Sequence, residues 1–426
     1  MSLRDSVATT RRRVHRAPLQ LFNISLLWLS VNFWWAGVLG LLLPLFVERL
    51  VGGEWKGTYL FYIGATGAAL SSIIQLVIGP ISDRTASPFG RRTPYVFIGV
   101  VLSLPAIYLF FHAPLVLRSF GWLLFAYCWV QVWMNVSNGP YQAFIPDLVP
   151  EDRQGLASAF MGMMLLIGQA GGFLGYMLLS EKLFVLCWVI IAMLGVSVLY
   201  TTISVREPAS AASTLPPLEW SRILLVPLRP YPSFVWLMVS RFFINMGFYT
   251  ALPFLLYYLQ DALGSSDPGG DFAKLALLFT GGALLGNWPS GWLADRVSKK
   301  AIVYFTCAMM AASAIAFVLD QTLTGAFVIG FAFGLSYGAF VAVDWAFACN
   351  LVPKEQEGRY MAVWHLAFTV PQVLAPWVGP VADWFNRTYP DMPGIGWRVA
   401  FSIIPIYLAI GAWAVRHVKE RKPVSV

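Results

Sequence analysis

The stretch "GPISDRTASPFGRR" (residues 79–92) holds one acid, three arginines, two prolines and two glycines. It lies between "YLFYIGATGAALSSIIQLVI" (59–78) and "TPYVFIGVVLSLPAIYLFF" (93–111), both almost wholly apolar. A short charged turn between two long apolar runs is the pattern of a loop leaving a membrane between two spanning helices. Pro80 and Pro88 stop helices, and Gly79 and Gly90 permit tight turns.

The composition extends that reading to the whole chain. Of 426 residues, 58% are hydrophobic and only 12% charged, against about 25% charged in a soluble domain. A spanning helix needs about 20 apolar residues to cross about 30 Å of hydrocarbon. Twelve such runs occur, near 19–47, 58–82, 93–112, 120–145, 155–180, 183–204, 234–260, 272–294, 301–319, 323–350, 358–385 and 397–416. They are continuously apolar rather than alternating, which predicts helices and excludes a barrel. The run from Leu19 to Phe46 is too long for a signal-peptide core and is expected to remain as the first span.

Loop charges set the expected topology. With the N-terminus cytoplasmic, loops on that side carry 21 Lys and Arg and the opposite loops 7. Both termini are therefore expected inside. The net charge of +8 then reflects topology rather than nucleic-acid binding. Cys128, Cys187, Cys307 and Cys349 all lie in apolar runs and read as buried thiols.

The second half repeats the first. "AFIPDLVPEDRQG" (143–155) matches "AFACNLVPKEQEG" (346–358) without a gap. "LLLPLF" (41–46) meets "TALPFL" (250–255), and "GPISDR" (79–84) meets "GWLADR" (291–296). The expected organisation is a tail at 1–18, a six-helix bundle at 19–204, a Pro/Ala/Ser-rich linker at 205–233, a second six-helix bundle at 234–416 and a tail at 417–426. The expected fold is all-α, with twelve transmembrane helices in two pseudo-symmetric bundles, and places a solute site between the halves.

With these motifs in place, the chain resembles the major facilitator superfamily. The family signature between helices 2 and 3 is present as Gly79, Asp83, Arg84, Gly90, Arg91 and Arg92, with a shortened copy at Gly291, Asp295, Arg296, Lys299 and Lys300. More narrowly, "SDRTASPFGRRTP" and "NVSNGPYQAFIPDL" (135–148) are similar to motifs of the glycoside/sucrose transporter branch. Gln131 and Gln142 stand where that branch typically has an Asp and an Arg. The resemblance implies that helices 1, 4, 7 and 10 line a central cavity.

Polar residues inside spans are costly and mark candidate sites. Gln131, Asn135, Asn138 and Gln142, spaced 4, 3 and 4, form one stripe on helix 4. Amides donate and accept together, which suits sugar hydroxyls; a helix–helix hydrogen-bond seam is the competing reading. Helix 7 carries Arg241, Asn245 and Tyr249 on one face, and helix 10 carries Tyr337 and Asp344. Arg241 and Asp344 are expected at equal depth and in an ion pair, with Asp344 the carrier if protons are coupled. His365, Thr369 and Gln372 share a face of helix 11, and the repeat relates Gln372 to Gln169 and Arg241 to Asn32. Among the tryptophans, Trp35 and Trp345 are candidate stacking surfaces beside Asn32 and Asp344. Asp83, Arg84, Arg91, Arg92, Asp295 and Arg296 are expected to gate, with Asp83 pairing one of the three loop arginines and capping a helix of the opposite half.

The leading expectation is a multi-pass membrane protein, in the inner membrane if bacterial. It moves a glycoside or sugar such as a disaccharide by alternating access, alone as a monomer, with protons as the coupling ion through Asp344. The alternatives are an exporter of amphipathic or aromatic compounds and a non-transporting assembly factor. No nucleotide loop, metal-ligand spacing or nucleophile–base pair occurs in the sequence. An enzyme, a cofactor and a nucleic-acid partner are therefore not expected.

Overall fold

The computed structural model describes residues 20–35, 40–150, 154–208, 228–294, 296–351 and 357–419. Helix α1 covers residues 20–35. It is followed by α2 (Gly40–Val51), α3 (Lys56–Asp83), α4 (Thr93–His112), α5 (Phe120–Gln142), α6 (Phe144–Leu148), α7 (Gln154–Leu179) and α8 (Leu183–Ser204). After the linker come α9 (Pro232–Ala251), α10 (Leu255–Asp261), α11 (Pro268–Ala294), α12 (Lys299–Leu319) and α13 (Leu323–Leu351). The chain ends with α14 (Glu357–Leu374), α15 (Val378–Thr388), α16 (Ile395–Phe401) and α17 (Ile404–Val415).

Among the described residues, every one of the twelve expected spans is helical over most of its length. Two of the breaks, between α9 and α10 and between α14 and α15, fall at prolines, which lack the N–H and crowd the preceding turn. Pro253 sits in the 3-10 turn Leu252–Phe254 and Pro376 in the turn Ala375–Trp377. Among the described residues, nine stretches are long and apolar enough to cross a membrane. Of the remaining three expected spans, α5 carries the four amides and α11 carries Asp271, Lys274 and Asn287, while the turn at Pro376 divides α14 from α15.

The chain forms two compact units. One is Met1–Gly40 with Ala69–Leu218, the other Leu41–Ala68 with Glu219–Val426. In the first unit, glycines let backbones meet. A Cβ at Gly168 of α7 would lie 2.3 Å from the Leu29 carbonyl of α1, and one at Gly99 of α4 would lie 2.6 Å from the Trp133 carbonyl of α5.

In the second unit, α11 and α13 interlock through small residues on both sides. A Cβ would lie 2.3 Å from Phe331 O at Gly282 and 1.9 Å from Leu335 O at Gly286. Facing them, one at Gly334 would lie 2.2 Å from Phe279 O and one at Gly338 2.0 Å from Ala283 O. Lipid gives two helices no hydrophobic reason to associate, so close backbone packing of this kind holds them.

The α2–α3 turn is held within the same unit by a polar cluster. The buried Lys56 ammonium bonds Glu48 (2.7 Å) and Asp261 (2.9 Å) and lies 4.5 Å from the Tyr257 ring centroid. Gln260 donates to Glu48 and the Trp397 indole donates to Asp261. Asp383 of α15, itself buried, accepts from the backbone N–H groups of Gly57 (3.1 Å) and Thr58 (2.6 Å) and from the Thr58 hydroxyl (2.7 Å). A carboxylate from another helix thus caps the N-terminus of α3, where the dipole favours negative charge.

Candidate functional site

The 79–92 stretch is a charged knot within the first unit. Asp83 ends α3 and pairs with Arg92, which the Asp147 carboxylate also binds at 3.0 Å. Arg91 takes the other Asp147 oxygen at 2.7 Å, and this bond raises the Arg91 guanidinium above its ordinary pKa. Arg92 donates to Ser82 as well, and Arg84 donates back to the Pro80 carbonyl (3.0 Å).

The start of α4 is capped by Glu207, which lies 115 residues from Arg92. Its carboxylate accepts from the backbone N–H of Arg92 (2.9 Å) and of Thr93 (3.0 Å) and from the Thr93 hydroxyl (3.1 Å). Gly90 has φ +91°, and a Cβ there would come within 2.3 Å of that carboxylate. The glycine therefore admits both the turn and the cap. Glu207→Ala should remove three bonds at a helix N-terminus and lower stability by about 1–2 kcal/mol. A thermal melt of the purified protein checks this.

Of the second copy of the motif, Asp295 lies outside the described residues. Arg296 stacks on Trp292 at 3.7 Å from the ring centroid.

The amide stripe on α5 is mostly spent inside the first unit. Gln131, Asn135 and Asn138 are buried and Gln142 is exposed. Asn135 Nδ2 donates to the Gln131 carbonyl (2.7 Å), and Asn135 Oδ1 accepts from Gln75 of α3 (2.7 Å). These bonds make Asn135 part of a seam between α5 and α3. Asn138 Oδ1 is buried with no hydrogen-bond partner among the described residues. Asn32 is buried and donates to the Trp28 carbonyl (2.7 Å), while Trp35 and Gln169 are half-buried.

The second unit holds the one internal acid–base pair that the sequence predicts at equal depth. Arg241 of α9 forms a salt bridge with Asp344 of α13, and both side chains are shielded, at 11% and 1% exposure. Asp344 Oδ1 and Arg241 Nε have no hydrogen-bond partner among the described residues. The guanidinium lies over the face of Trp364 on α14, 3.5 Å from the ring centroid, with Phe368 at 5.7 Å. Trp364 is fully buried, whereas Trp345 is 55% exposed and packs edge-on against it at 5.1 Å.

Polar groups continue from this pair. Asn245 donates to the Arg241 carbonyl (2.8 Å) and accepts from the Tyr337 hydroxyl (3.5 Å). Gln372 of α14 donates to the Tyr249 hydroxyl (3.1 Å), and Tyr337 stacks on Phe248 at 4.4 Å. The backbone of His365 is on α14, one residue beyond Trp364, and its side chain lies outside the described residues. Sequence reasoning missed Trp364 and Glu207. The aromatic composition hid the first among eighteen tryptophans, and the second fell in a stretch read as linker.

A model of the Major Facilitator Superfamily matches residues 3–175, 89–376 and 237–426. The sucrose transport protein SUC4 of Arabidopsis thaliana is 26% identical over 192 residues, 40% of this chain and 35% of that protein. The general alpha-glucoside permease of Schizosaccharomyces pombe is 27% identical over 218 residues, 45% of this chain and 38% of that protein. The matched regions are thus little more than a third of either relative. Among solved structures, a bacterial homolog of the human lysosomal transporter Spinster, in an inward-facing and occupied conformation, superposes with a TM-score of 0.72 at 16% identity, over 94% of this chain and 96% of that one. The unoccupied form of the same homolog superposes equally, over 94% and 97%. Matching from end to end, with helices where the twelve spans were expected, the chain belongs to the Major Facilitator Superfamily of multi-pass membrane carriers, which are not enzymes.

Proposed function

We propose that this carrier moves a glycoside or small sugar by alternating access and couples that movement to protons through Asp344. The observation that carries the coupling is the Arg241–Asp344 pair. A carboxylate this deeply buried is costly to leave charged, and its arginine keeps it so until the pair opens. Opening in a wet cavity then lets Asp344 take a proton. Two relatives named for sucrose and alpha-glucoside transport support a sugar as the solute, and so does Asn138, whose amide oxygen has no partner among the described residues. The aromatic surround of Arg241, made by Trp364 and Phe368, favours a planar or amphipathic compound as the second reading.

In proteoliposomes with an imposed proton gradient, Asp344→Asn is expected to abolish accumulation while sparing solute exchange. Undiminished uphill uptake by that variant refutes the coupling role. The solute itself is read from thermal melts over glycosides and lipophilic cations, because a true ligand raises the midpoint with its concentration. A rise with lipophilic cations alone selects the second reading.

A further inference from the structure

We propose that Trp364 is the resting place of Arg241, holding the guanidinium whenever Asp344 releases it. The part concerning protons rests on the coupling role of Asp344 given above; the part concerning Arg241 does not. The guanidinium is parallel work for two partners of different kinds. Asp344 supplies an ion pair through one oxygen, and Trp364 supplies a ring face 3.5 Å away at its centroid. The Trp364 indole N–H is buried with no hydrogen-bond partner among the described residues. The ring therefore is not held there by its polar end, and its face is what the site uses.

The two partners respond oppositely to protonation. A guanidinium neutralised by a carboxylate presents little net field to a ring. Once the carboxylate is neutral, the guanidinium is a bare buried cation, and the attraction of the ring's negative face is at its strongest. Trp364 thereby lowers the cost of a protonated Asp344 and sets how readily the pair opens. The other titratable groups packed about the pair are Tyr249 of α9, Tyr337 of α13 and Cys307 of α12. All three are ordinarily neutral at pH 7. His365 is on α14, next in sequence to Trp364.

Two measurements test this. Melting midpoints are taken for wild type, Asp344→Asn, Trp364→Leu and the double variant, all in the same detergent. Trp364→Leu keeps bulk without a π face. The double variant should lose several degrees more than the sum of the singles, because Arg241 then has neither partner. Asp344→Asn with Trp364→Phe should recover most of that excess. Additive losses overturn the proposal, whatever the coupling mechanism. In parallel, proton-driven uptake is followed against pH. Trp364→Leu should move half-maximal uptake to lower pH by about 1.5 units, as expected for losing a desolvated cation–π contact, and Trp364→Phe should move it less. An unmoved profile, with Asp344→Asn inactive in uphill uptake, overturns the role of Trp364 and leaves the coupling reading standing. Uphill uptake retained by Asp344→Asn overturns the coupling reading, and the melts alone then decide on Trp364.

Discussion

Gly286→Val should yield no folded protein, while Gly281→Ala, five residues earlier on the same helix, should be tolerated. A Cβ at Gly286 would lie 1.9 Å from the Leu335 carbonyl and 2.8 Å from its carbon, whereas at Gly281 nothing lies within 4 Å. The obstacle is backbone, so no rotamer change relieves it. Four glycines interlock here, and moving α11 away from α13 at one would break contact at the others. The expected cost is about 4 kcal/mol or more, in the range reserved for gross packing defects. Gly281→Ala adds helix propensity at an open position. Size-exclusion profiles of fluorescently tagged variants separate the two outcomes, and a monodisperse Gly286→Val peak would overturn the packing account.

The second large effect concerns Lys56. Lys56→Met is expected to cost about 3 kcal/mol, at the low end for breaking a buried pair, because Glu48 and Asp261 keep some contact with water. The loss comes less from the missing attraction than from two carboxylates left facing each other without a cation. Replacing all three charges together, as Lys56→Met with Glu48→Gln and Asp261→Asn, should restore most of the melting temperature. A triple variant no more stable than Lys56→Met would show that the cluster acts through the shape of the lysine rather than its charge.

The helices were legible because lipid imposes a simple rule on sequence: apolar runs of sufficient length, broken by charged turns. The partnership of Arg241 with Asp344 was legible for the same reason. Each is an expensive residue in a span, and counting residues from the helix ends put them at one depth. Asp83 was expected to choose among three arginines, and it pairs with Arg92. What periodicity could not carry was the capping of a helix N-terminus by an acid distant in sequence. Glu207 reaches Arg92 across 115 residues of sequence, and Asp383 reaches Thr58 across 325. Neither acid has a distinctive neighbourhood. Gly282 and Gly286 meet facing glycines of α13 that only the structure supplies. The α5 stripe follows from spacing, yet a face of amides does not reveal which bonds are already made. Gln75 takes Asn135, and Asn138 is left over.

The Arg241–Asp344 pair also has a consequence for how the chain is made. Its two members are 103 residues apart. At about 5–20 residues per second, the arginine emerges from the ribosome roughly 5–20 s before its counterion exists. During that interval α9 carries an arginine whose placement at mid-membrane costs about 2.5–3.5 kcal/mol. The charged knot of the first unit has no such delay, since Asp83, Arg92 and Asp147 follow one another within 65 residues. Insertion of α9 is thus the step of biogenesis most dependent on the helices already beside it, and it is completed only when α13 arrives.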